Sequence, residues 1–333
     1  MNYETIKLHK DMYKAPGGFK ASLEALDPTH AYKGTELGAL DAFQRQLKRF
    51  DIKVGGASSD IIAKFFQTPD SSALFPEYVS RAVEQGAQDS GILSEIIASK
   101  TEVNSPDYRS ITTDLDSKDY SAAIPEGTAI PETNITLNEQ LVKLKKQGRL
   151  LRASYEAIKF QRIDVFTVAL KQIGAYIAKA QLKDAVGVLL GGGGLGAQAE
   201  RITISGAKVA YSDLLDLWGK FDEFGMNVML ASPDMMMDLL SISEFKDPAT
   251  GLNFQATGSL TTPLGATLLK SNAVPAGTII GLDKNFALEM VTAGGISFEY
   301  DKLIDTQLER AAVTAIAGFS KIFPDAVKVL VRE

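Results

Sequence analysis

The residues whose spacing most suggests chemistry are Gly191-Gly192-Gly193-Gly194-Leu195-Gly196, which match G-x-G-x-x-G, with Asp213 and Asp216 further on. In a dinucleotide site such glycines let the backbone approach a pyrophosphate, and an acid about twenty residues on binds the ribose. That chemistry needs a strand before the glycines and a helix opening on them. Here a long helical pattern precedes them and no clear helix opens at Leu195, so the run reads as a helix stop followed by a hinge.

The other candidates are weaker. Met235-Met236-Met237 sits among Leu239 and Leu240 and reads as core filling in a short helix rather than a soft metal site. The carboxylates are scattered, with no pair at a diagnostic spacing. Lys143, Lys145, Lys146, Arg149 and Arg152 form the densest basic run, but no aromatic interleaves it before Tyr155, as a single-stranded nucleic-acid groove would want. A solvated strand face or a contact with acidic neighbours fits it better. There is no cysteine, so disulfides and thiolate chemistry are impossible, and the only histidines are His9 and His30. The residues point to no catalytic, cofactor-binding or metal-binding set.

The bulk numbers are those of an ordinary soluble globular chain: 333 residues, 45% hydrophobic, 23% charged, net charge -6. That acidic balance argues against a broadly basic nucleic-acid surface. The N-terminus has no apolar core of a secretory signal, and the longest near-apolar run, 185–190, is far too short to span a bilayer.

The elements follow from periodicity. Residues 1–34, broken by Pro16-Gly17-Gly18 and Pro28, read as an extended or loosely ordered arm. Leu37, Leu40, Phe43, Leu47 and Phe50 line one helix face, with Arg45, Lys48 and Arg49 on a solvated opposite face. A short helix capped by Ser59 is expected to end at Pro69, a helical run to follow through Val83 to about Gln85, and 92–103 to be strand. Ile163, Phe166, Leu170, Ile173, Ile177 and Ala180 step by threes and fours through the longest helix, 163–190, of about 42 Å. Gly174 within it costs about 1 kcal/mol relative to Ala. Beyond the glycines the pattern turns to α/β alternation. Helix is expected over 211–224 and strand over 226–230, and Ser232-Pro233-Asp234 opens a further helix. Strands are expected at 264–270, 278–282, 287–291, 296–300, 308–323 and 327–331.

Residues 111–159 have a form that compact enzymes rarely use. A polar segment runs outward to Pro125 and Pro131, and a Lys- and Arg-rich strand-like return leads to Ser154-Tyr155-Glu156. A two-stranded arm is marginal alone in water, so it is expected to find its partner on another subunit.

Several ordered pieces resemble the tailed-bacteriophage major capsid protein family, whose fold was first described for phage Hong Kong 97. They are Leu74-Phe75-Pro76-Glu77-Tyr78-Val79-Ser80-Arg81-Ala82-Val83, Ile124 to Glu156, Gly277 to Glu289, and Asp301-Lys302-Leu303-Ile304-Asp305 through Phe323. The resemblance covers about 70–333. It implies an α+β fold with an N-terminal arm (1–76), the start of a peripheral domain (77–110), an extended β-hairpin loop (111–155), a spine helix (156–205), an axial α/β domain (206–293) and peripheral return strands (294–333).

The function implied is a major capsid protein, not an enzyme, that assembles as hexamers and pentamers into an icosahedral virion around double-stranded DNA. It would assemble in the host cytoplasm, with no membrane or cofactor. Its partners would be itself and possible scaffolding, portal and decoration proteins. A separate scaffolding protein, or an arm that scaffolds itself, is favoured over removal of a propeptide. Expected contact residues between subunits are Glu126, Pro131, Glu132, Lys143, Lys145, Arg149, Phe43 and Phe50. The alternative within the fold is an encapsulin-like shell around a cargo enzyme. The distant alternative is a nucleotide-dependent enzyme using Gly191–Gly196.

Overall fold

The computed structural model describes residues 3–15, 17–105, 107–114, 134–137, 141–154, 156, 160–191, 198–243, 264–303, 305 and 307–332. In chain order the helices are α1 (Gly18–Leu26), α2 (Ala42–Arg49), α3 (Pro69–Ser72), α4 (Phe75–Asp89), α5 (Ile163–Gly191), α6 (Tyr211–Gly219) and α7 (Pro233–Ser241). The strands are β1 (Ser99–Glu102), β2 (Ile111–Asp114), β3 (Asn134–Leu137), β4 (Lys145–Ser154), β5 (Glu200–Thr203), β6 (Val228–Ala231), β7 (Thr267–Lys270), β8 (Thr278–Leu282), β9 (Leu288–Thr292), β10 (Ser297–Leu303), β11 (Leu308–Lys321) and β12 (Val327–Val331).

The chain divides into two compact units. The first takes residues 1–90, 148–178 and 296–315, and the second takes 91–147, 179–295 and 316–333.

The first unit is mainly helical. Phe65, Tyr78 and Phe75 pack with Leu170 and Ile163 from the start of α5, and Val313 of β11 joins the same core. Helices α4 and α5 meet through glycine: a Cβ on Gly174 would lie 1.9 Å from the Val83 carbonyl oxygen, and one on Gly86 2.1 Å from that of Lys171. Gly174, which the sequence shows only as a cost to the helix, is what lets two backbones touch.

Three local expectations change here. Residues 3–32 are not an extended arm: they form short 3-10 turns at Tyr3–Thr5 and Lys10–Lys14, then α1, and they bury Leu8, Phe19 and Leu23. The short helix expected between Ser59 and Pro69 is a 3-10 turn at Ile62–Phe66, and Pro69 itself starts α3, one residue after Thr68, whose hydroxyl accepts from the Ser71 amide. Proline suits that first position because its missing N–H would be unpaired there anyway. The face of α2 opposite Phe43 is not solvated at Arg45, which is fully buried. Its guanidinium donates to the Asp27 carboxylate at 2.6 Å and to the carbonyls of Asp27 and Leu40. Gln46 and Arg49 donate to the carbonyls of Tyr3 and Ile6. The polar face of α2 is thus spent on binding the N-terminal segment. The helix is also shorter than its apolar pattern, beginning at an Asp41–Gln44 capping box.

The second unit holds a five-stranded mixed sheet in the order β5-β12-β8-β6-β7. Side chains alternate across it, as strand geometry requires. Val228, Leu230, Ile280, Leu282 and Val329 face one way, onto Leu182, Val186 and Leu189 of α5. Met229, Ala231, Ile279 and Leu330 face the other, under Leu214 and Leu217 of α6 and Met235, Met236 and Leu239 of α7. The three methionines do not act together: two fill this core and Met237 is exposed. Helix α7 starts where Ser232-Pro233-Asp234 predicts, although the Ser232 side chain accepts from the Thr278 amide rather than capping the helix.

In the same unit β1 runs parallel to β9, and β9 pairs antiparallel with the end of β11. Of the expected strand over 92–103, only 99–102 is strand, after a 3-10 turn at Leu93–Glu95. Strands β2 and β3 form a separate antiparallel ladder, with Ile111 opposite Leu137.

Candidate inter-subunit surfaces

The residues expected at contacts fall into three groups. Phe43 and Phe50 lie in the first unit. Phe43 is in the core, 4% exposed, with the Arg81 guanidinium 4.4 Å above its ring. Phe50 packs against that core beneath Arg49, at 4.7 Å. Glu126, Pro131 and Glu132 lie outside the described residues.

Two of the three basic residues, Lys145 and Arg149, are engaged with their own chain. Within the first unit Arg149 stacks over Tyr176 at 3.8 Å. Within the second, the Lys145 ammonium is 2.6 Å from the Asp184 carboxylate, which also accepts from Gln147. The acidic neighbour that the sequence anticipates for this run therefore includes Asp184 of α5. Lys143 is exposed and borders a cavity of about 350 Å³ with Lys145, Asp184, Val188 and Phe319.

Large apolar side chains that each unit leaves in water mark further surface. In the first unit Val165 and Val168, one helical turn apart on α5, are exposed, and so are Phe160 and Ile61. In the second unit Ile111 and Leu137 form an apolar cross-strand pair with both members more than half exposed. Trp218 on α6 and Met237 on α7 are also out. Single exposed apolar residues are normal, but a cross-strand pair on a two-stranded ladder leaves surface with no core of its own. Periodicity finds the buried face of α5; the exposed valines break its amphipathic pattern and were the available signal.

Lys321, 1% exposed near the end of β11, has its ammonium pKa pushed down to about 8 by burial, with Asp325 opposing and Lys328 adding to the shift. Among the described residues no group of three or more Asp, Glu or His side chains is placed to hold a metal ion, and no helix is long and apolar enough to cross a membrane. The glycine run is entered from α5, 29 residues of helix ending at Gly191, where a dinucleotide fingerprint has a strand. Residues 192–197 lie outside the described residues.

The fold of the chain is similar to that of solved shell proteins. The capsid of the cyanophage P-SCSP1u superposes with a TM-score of 0.54 at 13% identity, over 73% of this chain and 88% of that one. The virus-like particle from Pyrococcus furiosus gives 0.50 at 11% identity, over 76% and 98%. The capsid of a native GTA particle gives 0.51 at 14%, over 72% and 90%. The fold is therefore the α+β capsid fold of the Hong Kong 97 type. Residues 138–320, more than half of the chain, match the family model described as phage capsid protein. The chain belongs to the phage capsid protein family, whose members are structural shell proteins of the virion. No curated protein matches it.

Proposed function

We propose that this chain is a major capsid protein that closes on copies of itself, as hexamers and pentamers, into an icosahedral head around double-stranded DNA. The observation that carries this reading is the apolar surface the folded chain leaves open, above all the Ile111–Leu137 pair at the foot of the 111–155 loop. Burying such surface stabilises by about 25 cal/mol per Å², set against the cost of association and ordering. Contacts that are each weak, repeated over many subunits, give a closed shell.

In this reading the 111–155 loop lies across a neighbour. Residues 1–76 take the place of the arm, folded onto the first unit's core at Leu8, Phe19 and Phe43 rather than extended, while 77–110 begin the peripheral domain and 156–205 supply its spine. Residues 206–293 form the axial domain and 294–333 return to the periphery. Glu126, Pro131, Glu132 and Lys143 are the expected contact residues on and beside the loop. Assembly takes place in the host cytoplasm, with scaffolding, portal and decoration proteins as possible partners. The net charge of -6 limits adventitious DNA binding by free subunits.

A second reading is a shell around a cargo enzyme, favoured by the likeness to the Pyrococcus furiosus virus-like particle over nearly all of that chain. Negative-stain microscopy with sizing chromatography tests both. Closed shells, or rings of five and six, are expected. A small oligomer that never assembles, even with crowding or a scaffold, would overturn the shell reading. Packaged DNA identifies a head, and a co-purified enzyme identifies a cargo shell.

A further inference from the structure

Glu289 is the second residue of β9, with β1 on one side and β11 on the other, and is 6% exposed. A carboxylate inside a sheet needs strong partners, because burial without them is costly. It has three, and all are hydroxyls. One carboxylate oxygen accepts from Thr101 Oγ1 and from the Tyr108 hydroxyl, both at 2.6 Å. The other accepts from Ser110 Oγ, also at 2.6 Å. Thr101 belongs to β1, the strand beside β9. Tyr108 and Ser110 belong to the segment that leaves the sheet and becomes β2 at Ile111. Ser110 is itself buried.

The returning chain is held at the same place. The backbone carbonyl of Tyr108 accepts from the Val142 amide at 2.8 Å, just after β3 and before β4. Outgoing and returning segments therefore meet at Tyr108, whose side chain reaches Glu289. Burial first, and then the Glu289 carboxylate, raise the Tyr108 pKa, so the phenol stays a donor through neutral pH. All of these groups lie in the second unit.

We infer that Glu289 clamps the foot of the β2–β3 hairpin to the sheet, fixing the direction in which the hairpin leaves the unit. A carboxylate suits this place best. It accepts from all three hydroxyls at once and with charge assistance, whereas an amide of the same shape loses the charge and forces at least one hydroxyl to turn and accept. Among the described side chains of the ladder, Ile111 and Leu137 are more than half exposed and give it no core. Loosening this one side chain therefore frees the foot while the strands around it keep their ladders. The inference concerns the single chain and does not rest on the assembly reading.

Hydrogen exchange read by mass spectrometry on the unassembled full-length chain tests it, comparing Glu289→Gln and Tyr108→Phe with the parent. Losing hydrogen bonds to a charged group is expected to raise exchange about tenfold in peptides covering 108–114 and 134–142 in Glu289→Gln. Tyr108→Phe is expected to show the same pattern at about threefold, for one hydroxyl lost. Exchange in α5, β8 and β12 stays at the parent level in both. Unchanged exchange at 108–114 in Glu289→Gln would overturn the clamp. If Glu289→Gln raises exchange uniformly, Tyr108→Phe decides: a rise confined to the foot supports the clamp, and no rise there overturns it.

Discussion

The Arg45 guanidinium nitrogen Nε lies 2.6 Å from the Asp27 carboxylate, and both side chains are closed off from water. The Tyr32 hydroxyl donates to the same carboxylate at 2.7 Å, and its ring stacks against the Arg45 guanidinium at 4.3 Å. This group joins α2 to the segment after α1.

Removing one partner of a buried pair leaves the other as an uncompensated charge, which costs about 3–5 kcal/mol. Arg45→Met is therefore expected to lower the stability of the chain by about that much and to open residues 3–32 to protease. The double variant Arg45→Met with Asp27→Leu should recover part of the loss, because no buried charge is left, while the Tyr32 hydroxyl and the carbonyls of Asp27 and Leu40 still lack their partners. Thermal melts with limited proteolysis read both, and a single variant that melts with the parent contradicts the account.

Gly174→Ala gains about 1 kcal/mol of helix propensity and loses more. The added methyl meets the Val83 carbonyl oxygen, and no rotamer relieves a clash between a Cβ and a backbone atom. A net loss of about 1–3 kcal/mol is expected by denaturant titration. Gly187→Ala, on the same helix with open space around its Cβ, should be stabilising.

Lys321 gives a pH signature. Its folded pKa of about 8 lies below the ordinary 10.5. Between those values the unfolded chain holds the proton and the folded chain does not, so stability rises with pH across that window. Below about 8 the charged, buried form is present in the folded state and its cost is fully felt. Lys321→Met should flatten the rise between about 8 and 10.5, seen as the difference between parent and variant melting temperatures against pH.

Leu137→Asp probes assembly apart from folding. The side chain is exposed, and such substitutions change stability by about 0.5 kcal/mol or less. The circular dichroism spectrum and melt are expected to match the parent while shells fail to form. Shells of normal yield would remove this pair from the interface.

What was legible in the sequence was regular repetition. The 3-4 spacing of Ile163 to Ala180 marked α5 to within a residue, and 278–282 and 327–331 were legible as strands, though not as the buried, central ones of a sheet that they are. The capsid fold was legible as an ordered series of loose motifs. Polar partners were not. Nothing in a helical wheel says that Arg45 will find Asp27 eighteen positions earlier, because that contact depends on how the N-terminal segment folds back. The same holds for Gly86 and Gly174, whose meaning exists only where two helices cross, and for Glu289, whose three donors come from positions far away in sequence.

The two units are each stitched from three separate stretches of chain, and the first is completed by residues 296–315 near the end. A growing polypeptide therefore cannot finish its helical unit when the first 90 residues emerge from the ribosome. Phe65, Tyr78 and Val83 must wait for Ile163 and Leu170, and then for Val313. Long-range closure of this kind is slow and leaves apolar surface open for the duration. A nascent chain of this design needs protection until residues 296–315 have been made, and fragments cut at a unit border in sequence will not fold as a unit.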